Sequence, residues 1–145
     1  MAREVFAPAR GLVIDITRVK DPVFSQKMMG DGFAVIPCEG KIVSPVSGTI
    51  TMMFPTCHAF GVTTDDGFEI LVHIGIDTVE EKGQGFTPLK QQGDRVEQGE
   101  LVVKMDLDYI ASKHDTSVIC ILTNQNDFPE TKISIANNGG PIVKY

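Results

Sequence analysis

Short runs of apolar or alternating residues recur along this chain, each closed off by Gly, Pro or Asp. They are Gly11–Ile16, Phe33–Pro37, Gly40–Val43, Gly48–Phe54, Ala59–Thr63, Phe68–Ile74, Leu101–Met105 and Ser117–Thr123. Every run has strand length, and a series of short strands with frequent turn signals predicts an all-β sandwich or barrel. Two stretches break the rhythm. Asp21–Gly30 predicts a short helix after Pro22 stopped by Gly30, and Asp106–His114 has acids first and Lys113-His114 last, the polarity that suits a helix dipole. A weak repeat is present, because FAPARGLV (Phe6–Val13) and VSPVSGTI (Val43–Ile50) share small-Pro-x-x-Gly-x-aliphatic. In both copies the Pro suits a strand start and the Gly permits a turn or bulge. The stretch GDRVEQGELV (Gly93–Val102) predicts two short strands around a tight turn. It is similar to the turn of lipoyl and biotinyl carrier domains, but no lysine occupies a hairpin tip as a carrier would require. After Thr123 the chain is richer in Asn, Gly and Pro, and is expected to be an edge strand (Lys132–Ala136) or a loosely ordered tail.

The chemistry gathers in residues 54–79, FPTCHAFGVTTDDGFEILVHIGIDTV, which carry two of the three histidines. Asp65-Asp66-Gly67 between strand-type arms is a strong hairpin signal. With Asp66-Gly67 as a two-residue turn, Phe60 lies opposite His73 and His58 sits diagonally beside it. With Asp65-Asp66 as the turn, His58 faces His73 directly, while a three-residue loop with a bulge at Gly67 breaks this parity. In either two-residue register the pair shares a face with Phe60, Val62 and Leu71, where burial and like charge both oppose protonation. Neutral imidazoles suit a nucleophile or a metal ligand. The bland alternative is two core histidines satisfied by backbone carbonyls. Thr56 shares the strand parity of His58 and can fix its tautomer, and Gly75 is expected to leave a bare patch beside His73. Two chemistries remain open: a zinc site completed by Glu69 or Asp77, or a histidine that receives a phosphoryl group while its neighbour steadies the product. The third histidine, His114, follows Lys113 and is expected to be solvated or to compensate a helix dipole.

A chain of 145 residues fits one domain with a real core, and 42% hydrophobic with 22% charged residues is ordinary for a soluble globular protein. The net charge of −6 argues against nucleic acid or an anionic membrane as the main partner. Three cysteines without metal or redox spacing suggest a reducing compartment, and Cys57 is expected to turn away from His58. No signal-peptide pattern or membrane-length apolar run is present, so a cytoplasmic location is expected. Gly-x-Ser-x-Gly, phosphate-loop and His-Glu-x-x-His motifs are missing, and Gly30-Asp31-Gly32 is only a weak nucleotide signal.

GFEILVHIGIDTV (Gly67–Val79) resembles the active-site signature of the glucose-type enzyme IIA of the bacterial phosphoenolpyruvate:sugar phosphotransferase system, and FPTCHAF (Phe54–Phe60) resembles its second histidine segment. DPVFSQKMMGDGFAV, SPVSGTI, KGQGF and GDRVEQGELV extend the resemblance from about Phe6 to Thr123. It implies an antiparallel β-sandwich or barrel of the duplicated hybrid motif type with one or two short helical segments, spanning residues 1–145 as one domain. It further implies that His73 is phosphorylated, that His58 is its partner and that Thr56 hydrogen-bonds the partner. Phosphate would come from the phosphocarrier HPr and pass to a cysteine of enzyme IIB, with membrane enzyme IIC and regulatory targets as further partners and no cofactor. By the same resemblance, Asp31 and Asp77 match an acidic rim, while Val23, Phe24, Phe54 and Val79 match an apolar docking face; the bare patch expected at Gly75 would let a partner macromolecule reach His73. Gln26 stands where some members have Glu. A free-standing domain is expected, or one excised from a longer permease. Lysostaphin-type zinc endopeptidases have a related architecture, but Gly75 stands where their second histidine would be needed. A regulatory binding module without turnover is the other alternative.

Overall fold

The computed structural model describes residues 3–135 and 139–145. Its elements are β1 (Glu4–Val5), β2 (Gly11–Asp15), α1 (Pro22–Ser25), β3 (Asp31–Pro37), β4 (Lys41–Val43), β5 (Gly48–Met53), β6 (Ala59–Thr63) and β7 (Glu69–Ile74). They continue with β8 (Phe86–Pro88), β9 (Arg95–Val96), β10 (Leu101–Met105), α2 (Leu107–Ala111), β11 (Val118–Leu122), β12 (Lys132–Ile133) and β13 (Val143–Lys144). Single-turn 3-10 segments occupy Ile16–Arg18, Thr78–Glu81 and Gln125–Asp127.

Among the described residues all pairings are antiparallel, in a seven-stranded sheet ordered β2-β3-β11-β7-β6-β5-β9 and two three-stranded sheets, β4-β10-β8 and β1-β13-β12. The expected β-sandwich is therefore found, and all eight strand runs are present with boundaries shifted by at most two residues. The inner face of the large sheet packs against both small sheets, with Phe33, Val35, Phe60, Val62, Val72, Val118 and Cys120 meeting Ile42, Phe86, Val103 and Val143. The outer face carries a second cluster of Ile14, Ala34, Ile119 and Ile121. Ile16, Val19 and Phe24 cover it, and Leu71 is packed against it. Central β11, VICIL, is buried along its whole length because it serves both clusters. Burying apolar surface on both faces is what makes a sheet this wide rigid enough to hold a site.

The two repeat copies lie against each other, with Phe6 N–H donating to Pro45 O and Val43 N–H to Pro8 O. Their glycines both let a neighbouring carbonyl approach closely. A Cβ on Gly11 would meet Ile36 O at 1.9 Å, and one on Gly48 would meet Thr63 O at 2.3 Å. The helices are shorter than the sequence suggests. Asp21 caps α1, but Lys27 in the left-handed region (φ 59) ends that turn before Gly30. Asp106 caps α2, which stops at Ala111.

The described residues of the tail are packed, not loose. β13 joins β1 to β12, and the Tyr145 ring stacks on Phe68 at 3.9 Å. The expected edge strand is realised only at Lys132–Ile133, and Ala136 lies outside the described residues. Among the described residues no helix is long and apolar enough to cross a membrane.

Candidate active site

His73 sits near the end of β7, opposite Ala59 on one side and Ile119 on the other. This register lies between those of the two two-residue turns, because the hairpin takes the third possibility, a three-residue loop that breaks the parity. Gly67 N–H donates to Thr64 O, Thr64 N–H donates to Phe68 O, and Gly67 has φ 92. Phe60 and Val62 consequently face the main core and not the histidine. On the outer face His73 has the small residues Ala59 and Gly61 as its nearest β6 neighbours, and the space above them is filled from elsewhere.

His58 reaches that space from beyond the end of β6. Residues 54–57 form a tight turn in which Cys57 N–H donates to Phe54 O, and Cys57 adopts φ 60. The left-handed residue breaks strand alternation. It sends the Cys57 side chain toward the main core and leaves His58 beside His73, the two rings edge to face with centroids 5.1 Å apart. The expected adjacency is thus present, through a turn and not through strand parity. Phe54 closes on His58 at 5.3 Å and Phe24 on His73 at 5.0 Å.

The hydrogen bonds define the ring states. His73 Nδ1 lies 2.8 Å from Gly75 O, and a carbonyl only accepts, so Nδ1 carries the proton and Nε2 keeps its lone pair. His58 Nδ1 is bonded to Thr56 Oγ1. His58 is only 4% exposed, and burial with the neighbouring His73 lowers its pKa to about 4. Burial lowers the pKa of His73 as well, opposed by the Gly75 carbonyl and then by the charges of Asp21 and Asp77.

Several expected positions play different parts. Gly75 is buried and is no bare patch; its φ of 77 turns its carbonyl back to His73, and a Cβ there would meet Thr78 Cγ2 at 2.5 Å. Phe24 is 6% exposed, so it belongs to the second cluster and not to an open surface. Asp31 bonds Gly32 N–H and pairs with Lys27 Nζ at 3.5 Å; the carboxylates whose charge acts on His73 are Asp21 and Asp77. Val23 and Val79 are exposed, the latter 51%, and the exposed Met28 and Met29 follow α1. His114 is not solvated: its Nε2 meets Glu81 Oε2 at 2.7 Å, with those side chains 9% and 11% exposed. Asp21 and Glu81 escape a reading of the sequence because their partners are distant in the chain. Among the described residues no cluster of three or more His, Cys, Asp or Glu could hold a metal ion, so nothing completes the zinc set that the pair could have begun.

Comparisons with known proteins bear on the fold and the family. Residues 3–128 match the family model for the phosphoenolpyruvate-dependent sugar phosphotransferase system, EIIA 1. The glucose-specific EIICBA component of Streptococcus pneumoniae is 50% identical over 92% of this chain, which spans 18% of that relative, and the chain spans 18% of the Staphylococcus saprophyticus EIICBA component as well. The glucose-specific EIIA component of Halalkalibacterium halodurans is 45% identical, covering 85% of this chain and 71% of that protein. The solved glucose permease IIA of Mycoplasma capricolum superposes with a TM-score of 0.83 at 36% identity, covering 97% of this chain and 93% of the other. The chain belongs to the glucose-type EIIA family of the sugar phosphotransferase system.

Proposed function

We propose that the protein accepts a phosphoryl group from phospho-HPr on Nε2 of His73 and passes it to a cysteine of enzyme IIB, serving a glucose-class transporter with membrane enzyme IIC. The observation that carries this reading is the Nδ1–H bond from His73 to Gly75 O, which leaves Nε2 as the nucleophilic nitrogen. In the first step the Nε2 lone pair forms the N–P bond. The bond from phosphorus to the donor breaks, and its electron pair leaves with the donor. The His73 ring becomes cationic as the bond forms, a change that the Gly75 carbonyl and the charges of Asp21 and Asp77 favour. With the Thr56 hydroxyl donating to Nδ1, neutral His58 carries its proton on Nε2 and can donate it to the phosphoryl oxygens. The second step reverses the first, with the IIB thiolate as nucleophile.

The names of the relatives support glucose as the sugar class and IIB and IIC as partners, since fused EIICBA chains carry all three functions in their names. Intact mass after incubation with phosphoenolpyruvate, enzyme I and HPr tests the proposal. One phosphoryl group is expected on the wild type and none on His73→Ala. A wild type that takes up no phosphate would instead be a regulatory binding module that has kept the site without turnover.

A further inference from the structure

The loop 75–81 carries the Gly75 carbonyl that orients His73, and it is clamped at both ends onto the segment 109–117. At the near end Gly75 N–H donates to Ser117 O at 2.8 Å and Ile76 N–H to Asp115 O at 3.0 Å, while buried Thr78 bonds back to Ile74 O. At the far end the Glu81 carboxylate accepts two bonds, from Tyr109 Oη at 2.6 Å and from His114 Nε2 at 2.7 Å. These donors, Tyr109 first, hold the Glu81 carboxyl below the usual carboxylate range. His114 directly precedes Asp115, so the two clamps grip one short stretch of chain. After Glu81 the chain turns through Lys82 (φ 55) into Gly83, where a Cβ would lie 3.8 Å from both Cα and O of Thr56, the residue bonded to His58.

The Glu81 side chain is only 11% exposed, and a carboxylate so enclosed is costly to bury unless its donors, Tyr109 and His114, are kept. We infer that Glu81 is a positioning residue for His73. By tying the end of the 3-10 segment to Tyr109 and His114, it holds the loop so that the Gly75 carbonyl fixes the Nδ1–H form of His73 and Asp77 stays at the rim. The link to transfer rests on the phosphocarrier reading, whereas the effect on the ring state does not.

The test joins long-range 1H–15N spectra of the unphosphorylated imidazoles to the rate of phosphoryl uptake from HPr. Wild type is expected to show His73 in the Nδ1–H form. Folded Glu81→Ala is expected to mix the two tautomers and to slow uptake about ten-fold, the scale of a small misplacement at a reacting atom. Glu81→Gln keeps one acceptor and should lie between them. Tyr109→Phe removes one donor without changing shape, and decides the matter should Glu81→Ala fail to fold: it should shift the tautomer in the same direction by a smaller amount. Unchanged His73 signals and uptake in folded Glu81→Ala, or unchanged signals in Tyr109→Phe, overturn the inference. A tautomer shift in a protein that never takes up phosphate supports the clamp and sinks the phosphocarrier reading alone.

Discussion

Two neighbouring imidazoles differ in one hydrogen bond each. In the proposed mechanism the Gly75 carbonyl sets His73 as nucleophile at Nε2, and a Thr56 hydroxyl donating to Nδ1 leaves His58 free to act as donor. His58→Gln retains a side-chain donor and should retain much of the uptake rate, while His58→Ala should lose on the order of a hundred-fold, the scale of one oxyanion donor. Wild-type rates in both variants, measured by intact mass against time, would remove His58 from the mechanism. The depressed pKa of His58 also has a stability consequence. Its folded value near 4 lies below its ordinary 6.5, so between these pH values the unfolded chain binds the extra proton. Stability is complete above about 6.5 and falls as pH drops toward 4, by at most about 3 kcal/mol after allowance for solvent near the ring. Thermal unfolding of the wild type should lose more between pH 7 and pH 4.5 than that of His58→Gln; equal losses would mean that burial of the neutral ring is not the cause.

At the scale of elements, the hairpin and the loop after it share a reliance on glycine but for different ends. Gly67 turns the chain in open space, with nothing within 4 Å of a Cβ, so Gly67→Ala should cost only about 1 kcal/mol of backbone strain and leave phosphoryl uptake unchanged. Gly75→Ala meets Thr78 as well as the left-handed backbone, and should both destabilise the domain and slow uptake, because the carbonyl moves. Equal effects of the two substitutions on uptake would contradict the orienting role of Gly75. The strands themselves were legible because alternation and turn residues are local signals. The register of the β6–β7 hairpin was not, since Asp-Gly suits two-residue and three-residue loops alike and only Thr64, bonding to Phe68, decides between them. β1, β8 and β13 were missed because each holds only two or three residues and pairs with distant chain. The histidine pair was found by its motif, yet its mutual contact depends on a left-handed cysteine that no periodicity announces.

At the scale of the molecule, the seven-stranded sheet presents the pair on its outer face, with exposed Val23 on α1 next to Phe24, whose ring packs on His73, and exposed Val79 a few residues beyond β7. A single reacting nitrogen requires donor and acceptor to approach along nearly the same line, so HPr and IIB should exclude each other from one shared face. Val79→Asp is expected to weaken transfer from HPr and transfer to IIB together without loss of fold. Impairment of one transfer alone would mean separate faces. Phe24, being part of the second cluster, is unsuited to that test, because a charge there would disturb the packing under His73. The central claim concerns one atom, and 15N spectra of the phosphorylated protein with 15N-labelled histidine address it directly. One-bond coupling to phosphorus at Nε2 of His73, with Nδ1 still protonated, is the predicted result; coupling at Nδ1, or phosphate retained on His73→Ala, would contradict the account.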